Sequence, residues 1–322
     1  MTTPPPLGIL ILNWNGKRWL ETLLPSLAKQ SGVPVRLYLV DNASTDDSLS
    51  WVEEHHPEVI HIRFPQNLGY SMAYNLAMPI AFDDGCDWVI WANNDLRLEE
   101  GCLQAMQRAT ESSPCAILGP AFLDWESDQP NGYMCGKHPQ LLPAMRQGSR
   151  EVQEVDWVEG SFLMVNRACV QQVGALDPFL FFYWEETDFC RRARYQGFRV
   201  GLVPNALARH FAGGSMAQNQ AVNRLKSRNY YIYKLADPNR SFLANTGSAL
   251  HLFLARCRQF LFRWQWRPLL AEGAIFGGIL RDLLPIHGKW RRDRERIRPP
   301  LTTSAYAHIT PTVIYPSPSG ER

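Results

Sequence analysis

The stretch DWVIWANNDLRLEEG, Asp87 to Gly101, sets the reading of the fold. Trp88, Val89, Ile90, Trp91 and Ala92 form a short unbroken apolar run, the pattern of a strand buried on both faces of a parallel sheet. The run stops at Asn93-Asn94-Asp95, and a polar segment of helical character follows. In open α/β sheets, ligands bind outside the carboxyl ends of the strands. Two amides and a carboxylate at such an end can form a binding corner. One carboxylate flanked by amides can hold a divalent cation whose shell is completed by phosphate oxygens. A plainer account makes Asn93 and Asn94 a turn and Asp95 the cap of a helix over Leu98–Thr110; taken alone, that account prevails.

Working outward, the same punctuation recurs. LGILIL (7–12) is a buried strand, followed by a helix whose Leu20, Leu23, Leu24 and Leu27 share one face. VRLYLV (35–40) ends at DNAS (41–44), and Ser44-Thr45-Asp46-Asp47 marks a helix start. VIHIRF (59–64) is a third strand, and GYSMAYNLAMPIAF (69–82) a helix that Pro79 bends or ends. Strands and helices alternate with short connections through about residue 120, which predicts a right-handed, doubly wound, mostly parallel α/β sheet. AILGPAF (116–122) is a further strand, and residues 124–154 read as a long surface loop. VDWVEGSFLMVNRA holds a strand, and EETDFCRRARYQGFRVGLVP reads as helix, Gly197 stop and strand. The expected organisation is a disordered tail over 1–6, a catalytic-size α/β domain over 7–216, a basic amphipathic helical region over 217–298, and a disordered tail over 299–322.

The 322 residues are 45% hydrophobic, enough for one large domain or two smaller ones. A net charge of +2 gives no reason to expect nucleic acid as a partner. The charge is unevenly placed: residues 251–300 hold 11 Lys/Arg against 4 Asp/Glu, whereas the first 250 hold 21 against 26. Seven scattered cysteines without a C-x-x-C pair read as reduced thiols. The N-terminus has neither a basic region nor a cleavage site, and no apolar run reaches the roughly 18 residues of a span. Together these predict a cytoplasmic protein.

Several short constellations carry chemistry. Asp41 ends the second strand, where an acid can hold ribose hydroxyls or simply form an Asx turn. LNWNGKRW has one glycine, which argues against a dehydrogenase fingerprint. Asn67 and Gly69 precede a helix N-terminus, a place suited to a diphosphate, or to a plain left-handed turn. Glu185, Glu186 and Asp188 crowd three acids into four positions directly after FLFFYW. Burial among aromatics raises a carboxylate's pKa toward the range of a general base, whereas an acidic first turn alone would not need that apolar flank. Glu185 and Asp188 are i,i+3 neighbours, Glu186 points elsewhere, and Arg191 and Arg192 can neutralise the excess charge. His210 follows a strand in a Gly-rich stretch, and is as well suited to a metal or phosphate as to a structural role.

In this order ILNWNG, VDNASTDDS, NLGYSMAYN, WANNDLRLEEG, WVEGSFLMVNR, FFYWEETDFCRRARYQGFRV and RHFAGGS resemble the inverting family 2 glycosyltransferases of the GT-A fold, most of all the bacterial rhamnosyltransferase-like branch. The motifs span about residues 7 to 216, two-thirds of the chain. The resemblance implies transfer of a sugar from a nucleotide-diphosphate donor to a glycan or polyprenyl-linked acceptor in cell-surface polysaccharide synthesis. It implies that Asn13 and Asp41 line the nucleotide pocket, Asn67 and Gly69 contact the nucleotide sugar, and Asn93-Asn94-Asp95 stand at the D-x-D position. It further implies that Asp95 and His210 bind a divalent cation, Mg or Mn. Glu186 would be the catalytic base, supported by Glu185 and Asp188, and Gly160, Ser161 and Trp184 would lie on the acceptor side. The sequence departs from the pattern at Asn93, where the family has Asp, and an amide oxygen is the weaker ligand.

One base and one metal corner are the minimum for an inverting transfer: the base deprotonates the attacking hydroxyl, and the cation stabilises the leaving diphosphate. The alternatives are a non-catalytic nucleotide-sugar-binding subunit, favoured by Asn93 and opposed by EETD, and a nucleotidylyltransferase, for which NWNGKRW is too poor in glycine. Arg256, Arg258, Arg263 and Arg267 alternate with Phe, Leu and Trp, and five further arginines follow between 291 and 298. Such a basic amphipathic region reads as interfacial, peripheral on the inner face of a membrane, or as a helical pair packed on the domain.

Overall fold

The computed structural model describes residues 5–211, 220–300, 302 and 308–316. The boundary expected at 216/217 and the glycines after His210 lie outside the described residues. The N-terminal half alternates β1 (Leu7–Asn13), α1 (Lys17–Ala28), β2 (Val35–Asp41), α2 (Ser48–His55), β3 (Ile60–Arg63), α3 (Gly69–Asp83) and β4 (Trp88–Asn93). There follow β5 (Leu96–Leu98), α4 (Cys102–Ser112), β6 (Cys115–Leu123), α5 (Gly132–Lys137), α6 (Leu141–Arg146), β7 (Gln153–Glu154), β8 (Phe162–Asn166), α7 (Arg167–Val173), α8 (Glu185–Tyr195) and β9 (Arg199–His210). Helices α9 (Gln220–Leu235), α10 (Phe242–Phe262), α11 (Trp266–Arg281) and α12 (Leu283–Arg294) come next, then β10 (Thr312–Ile314).

The strands form one mixed sheet in the order β10-β3-β2-β1-β4-β8-β6-β9-β5, with β7 beside β9. Strands β3, β2, β1 and β4 are parallel. Their register places Asn13 opposite Asp41 and Leu12 opposite Asn93, so the polar residues that end three separate runs meet on one rim. Ile9, Leu10, Ile11, Leu39, Val40, Val89, Ile90 and Trp91 are fully buried, as their unbroken apolar runs require. Strand β8 enters antiparallel to β4 and brings Ser161 against Asn93, whose N–H donates to the Ser161 carbonyl at 2.8 Å.

Three expectations are corrected and one is narrowed. The residues after Asp95 form strand β5, and the helix starts only at Cys102; Leu96 and Leu98 are buried alternately with Arg97, a period of two. Residues 124–154 contain α5, α6 and β7, with Met134 and Leu141 in the core. Of the two outcomes expected at Pro79, bending or ending the helix, ending is ruled out: α3 runs on to Asp83. Within the tail expected to be disordered, Thr312–Ile314 pairs antiparallel with β3 and Tyr315 donates to Asp84 at 3.0 Å, covering what would be an open sheet edge.

Helices α9 to α12 form a second layer with its own small core of Leu180, Tyr231, Ile232, Leu235, Ala249, Ile279 and Ile286. No helix among the described residues is long and apolar enough to cross a membrane.

Candidate active site

The rim of the parallel strands is a hydrogen-bonded polar shelf. Asn13 donates to Ser44 Oγ at 3.1 Å and lies 3.5 Å from Asp41 Oδ1, while Asn94 donates to Asn13 Oδ1 at 2.8 Å. Asp41 Oδ2 accepts the Ser44 N–H at 3.1 Å and is buried. Gly16 faces this lattice so closely that a Cβ would sit 2.0 Å from Asn94 Nδ2 and 2.6 Å from Asn13 Oδ1, so a larger residue would displace these amides. Asn42, absent from the sequence-based site, ties the shelf to the next loop. Its amide donates to Asn67 Oδ1 at 3.0 Å and to the Gly69 carbonyl at 3.1 Å, and its oxygen accepts the Leu68 N–H at 2.7 Å. Gly69 has φ +72 and supports the Phe181 ring, whose Cε2 would lie 2.5 Å from a Cβ there.

The candidate metal corner assembles from three places in the chain. The antiparallel register of β5 and β9 sets Leu96 opposite His210, and the Phe211 N–H closes on the Asp95 carbonyl at 3.1 Å. His210, the last residue of β9 rather than a loop residue, then faces Asp95, with Nε2 3.3 Å from Oδ1. Its other nitrogen meets Glu159 Oε1 at 2.6 Å, and Ser161 Oγ donates to the same carboxylate at 3.0 Å. Burial alone would lower the His210 pKa, but its hydrogen bonds to Asp95 and Glu159 outweigh that and push it up to about 10. Glu159 was missed, although it stands inside the motif WVEGS; without the β9 pairing nothing in the sequence brings it to His210.

This donor set fits a divalent cation carried in with a diphosphate. Asp95 and His210 Nε2 converge, and Glu159 orients the imidazole from behind, as a carboxylate does for metal-bound histidines. Among the described residues no cluster of three or more His, Cys, Asp or Glu is arranged to hold a metal. The remaining ligands would therefore have to be phosphate and water oxygens, the usual habit of Mg²⁺.

The three acids of α8 have three different environments. Glu185 is buried at the N-terminus of α8, and its Oε2 has no hydrogen-bond partner. Burial, with Glu186 beside it, raises its pKa well above the usual range. Glu186 is half-buried and packs over Gly160, where a Cβ would lie 3.1 Å from its own. Burial raises its pKa, with Glu159 adding to the rise, while Thr187 Oγ1 donates to it at 2.9 Å. Tyr70 OH donates to the Gly160 carbonyl at 2.5 Å and holds that loop in place.

Asp188, an i,i+3 neighbour of Glu185, is fully buried and held by cations. Burial would raise its pKa, but Lys289, Arg192 and Arg191 together hold it below the usual carboxylate range. Their contacts are 2.9 Å to Lys289 Nζ, 3.0 Å to Arg192 Nε and 2.8 Å to Arg191 Nη2. Lys289 also reaches Asp177 at 3.2 Å and Asp293 at 2.8 Å, so α8 and α12 are joined by a buried ion cluster. Asp188 thus ties α8 to α12.

The segment entering α8 is strained. Tyr183 and Trp184 both have positive φ, 70 and 75, which costs of order 1–3 kcal/mol for each residue. Helix α9 holds them there. Asn229 donates to the Phe182 and Tyr183 carbonyls at 2.9 and 3.1 Å, and Trp184 donates to the Lys226 carbonyl at 3.2 Å and stacks on Tyr233.

Glu185→Gln is expected to flatten the pH dependence of stability. A carboxyl whose folded pKa is raised binds a proton that the unfolded chain releases near about pH 4.3, so stability falls as pH rises from there through the folded value. The glutamine variant lacks that loss and should be the more stable protein at pH 8. Identical profiles of melting temperature against pH in both proteins would mean that Glu185 is ionised in the fold.

The sequence model of the family described as Glycosyl transferase family 2 matches residues 9–171. The chain is 29% identical over 321 residues to N-acetylglucosaminyl-diphospho-decaprenol L-rhamnosyltransferase of Mycobacterium tuberculosis, covering 90% of this chain and 96% of that one. It is 26% identical over 247 residues to Low-salt glycan biosynthesis hexosyltransferase Agl10 of Haloferax volcanii, 74% of this chain and 76% of that one. Among solved structures, mannosyltransferase PcManGT from Pyrobaculum calidifontis, in complex with GDP-Man and Mn2+, superposes with a TM-score of 0.57 at 14% identity, over 92% of this chain and 85% of that one.

Proposed function

This chain belongs to glycosyl transferase family 2, and from that premise we propose an inverting transfer from a nucleotide-diphosphate sugar to a hydroxyl of a lipid-linked glycan acceptor. The protein is a glycosyltransferase with a GT-A fold, of the rhamnosyltransferase-like kind, acting in polysaccharide or glycan biosynthesis. The observation that supports the mechanism is that Glu186, a half-buried carboxyl with a raised pKa, packs over Gly160, next to the Glu159 that contacts His210 of the Asp95–His210 corner.

In this reading Asp41 and Asn13 hold the nucleoside, and Asn67, Gly69, Asn93 and Asn94 border the diphosphate and sugar. A divalent cation at Asp95 and His210 would supply the positive charge that stabilises the leaving diphosphate. Glu186 accepts the proton of the attacking hydroxyl from the face opposite the leaving group. Gly160, Ser161 and Trp184 border the acceptor, with Glu185 and Asp188 fixing the start and the back of α8. The named donor and acceptor types of the relatives support this assignment: GDP-Man with Mn2+ in the mannosyltransferase, and a diphospho-decaprenol glycan for the mycobacterial enzyme. An acceptor carried on polyprenol would be met at a membrane surface, which suits the basic helical layer and a position on the inner leaflet.

Calorimetric titration with UDP, GDP, dTDP and CDP, each with Mn²⁺ and with EDTA, tests the reading. One nucleotide is expected to bind, and more tightly with the metal. Asp95→Ala is expected to weaken binding about tenfold or more in Mn²⁺, the loss of one charge-assisted ligand, and little in EDTA. Equal losses in both buffers would remove Asp95 from the metal site, and no binding of any nucleotide would overturn the transferase reading.

A further inference from the structure

A cavity of about 380 Å³ lies in the helical layer, between α9 and α11, away from the strand rim. Its wall is formed by Arg224, Arg228, Ile275, Gly278, Arg281 and Asp282, among others. Three guanidiniums therefore face one carboxylate. Arg228 is engaged with Asp282 at 3.0 Å and with Asn229 Oδ1 at 3.1 Å. Arg224 and Arg281 make no hydrogen bond or ion pair among the described residues. Guanidiniums left without anions around one concavity are the arrangement that bidentate phosphate recognition requires.

The floor of the same cavity is apolar and continues out of it. Leu270, Ala274, Gly278 and Arg281 recur at helical spacing on one face of α11. Beyond the cavity that face is uncovered, with Leu270 73% exposed. At the α10–α11 turn stand Phe262, 87% exposed, and Trp264, 79% exposed, among Arg263 and Arg267. From Arg281 to Trp266 the helix runs about 22 Å, enough to line a hydrocarbon chain. A phosphate site opening onto an exposed apolar strip selects an amphiphile, since a free anion gains nothing from the strip and a neutral lipid gains nothing from the arginines.

We infer that this cavity binds the diphosphate of a polyprenyl-linked acceptor, with its isoprenoid chain lying along α11. The inference rests on the lipid-linked acceptor of the preceding reading and names where its head group is held. The position suits the chemistry. Arg228 precedes Asn229, whose amide donates to the Phe182 and Tyr183 carbonyls, so the helix that lines the cavity also holds the segment leading to Glu186.

The test uses the full chain and phosphatidylcholine vesicles doped either with polyprenyl diphosphate or with phosphatidylglycerol at matched charge. Arg224→Gln/Arg281→Gln is expected to lose tenfold or more in affinity for the polyprenyl diphosphate vesicles, as two charge-assisted contacts would. It should keep its affinity for the phosphatidylglycerol vesicles, its nucleotide affinity and its melting temperature. Arg258→Gln/Arg263→Gln, on the outer helix, should weaken both vesicle types alike. Equal losses of the first variant on both vesicles would make these arginines part of a general basic surface and overturn the site, as would no loss on either. Inorganic diphosphate competing as well as the lipid would also overturn it, because the apolar strip would then contribute nothing. Donor turnover is read separately: transfer to a soluble glycan with no head-group discrimination sinks the site alone. Head-group discrimination without any sugar transfer sinks the transferase reading alone.

Discussion

Glu186→Gln is expected to lower kcat by about 10²–10⁴-fold, the usual contribution of a positioned general base. The substitution keeps the shape of the side chain, its packing over Gly160 and its hydrogen bond from Thr187, so the KM for the donor and the affinity for the nucleoside diphosphate should scarcely change. Only the capacity to take the acceptor proton disappears. In the parent enzyme the base acts deprotonated, and burial raises its pKa. Activity should therefore fall as pH is lowered through that raised value, and the acid limb should be lost from whatever activity the variant keeps. A fully active variant, or one that loses donor affinity in proportion to kcat, would take the role of base away from Glu186.

Lys289→Met is expected to destabilise the protein by about 3–5 kcal/mol, the cost of removing one partner from a buried ionic cluster. The lysine is fully buried and reaches Asp177, Asp188 and Asp293 within 3.2 Å. Without it, Arg191, Arg192 and Arg292 remain to balance three buried carboxylates, and Asp293, already raised by burial, should bind a proton. The measurement is denaturant unfolding at neutral pH. Catalysis should suffer along with stability, because α12 buttresses the helix whose first turn carries Glu186, whereas the Asp41 shelf is held by Asn13 and Ser44 and should hold nucleotide as before. A loss below about 1 kcal/mol would fall within the range of surface pairs and would show that the cluster does not anchor α8.

The same cluster explains why one assignment changed in kind. From the sequence, Asp188 sits three residues after Glu185 and belongs to the acid group beside the substrate. The helix does place those two as i,i+3 neighbours, and Arg191 and Arg192 do neutralise charge there. What the sequence lacks is Lys289, 101 residues away, which turns Asp188 into the anchor of α12. Glu159 follows the same logic. It is visible as a letter in WVEGS, but its place behind His210 comes from the pairing of β9 with β5.

The sequence by itself determined the alternating α/β core, because buried parallel strands must be unbroken apolar runs and their polar ends mark the rim. It also determined the order of the motifs and the residue types at the proposed nucleotide shelf, metal corner and base, since each is local to one strand end or one helix start. Tertiary structure alone decided which of those residues meet. Asp95 faces His210 only through an antiparallel register, Glu185 and Glu186 part company only by burial, and Asp188 finds its partner only where α12 docks. It also decided the strand β5, the edge strand β10 and the α9–α11 cavity. Short strands and helix pairings of this kind are fixed by contacts distant in sequence, and local periodicity carries no record of them.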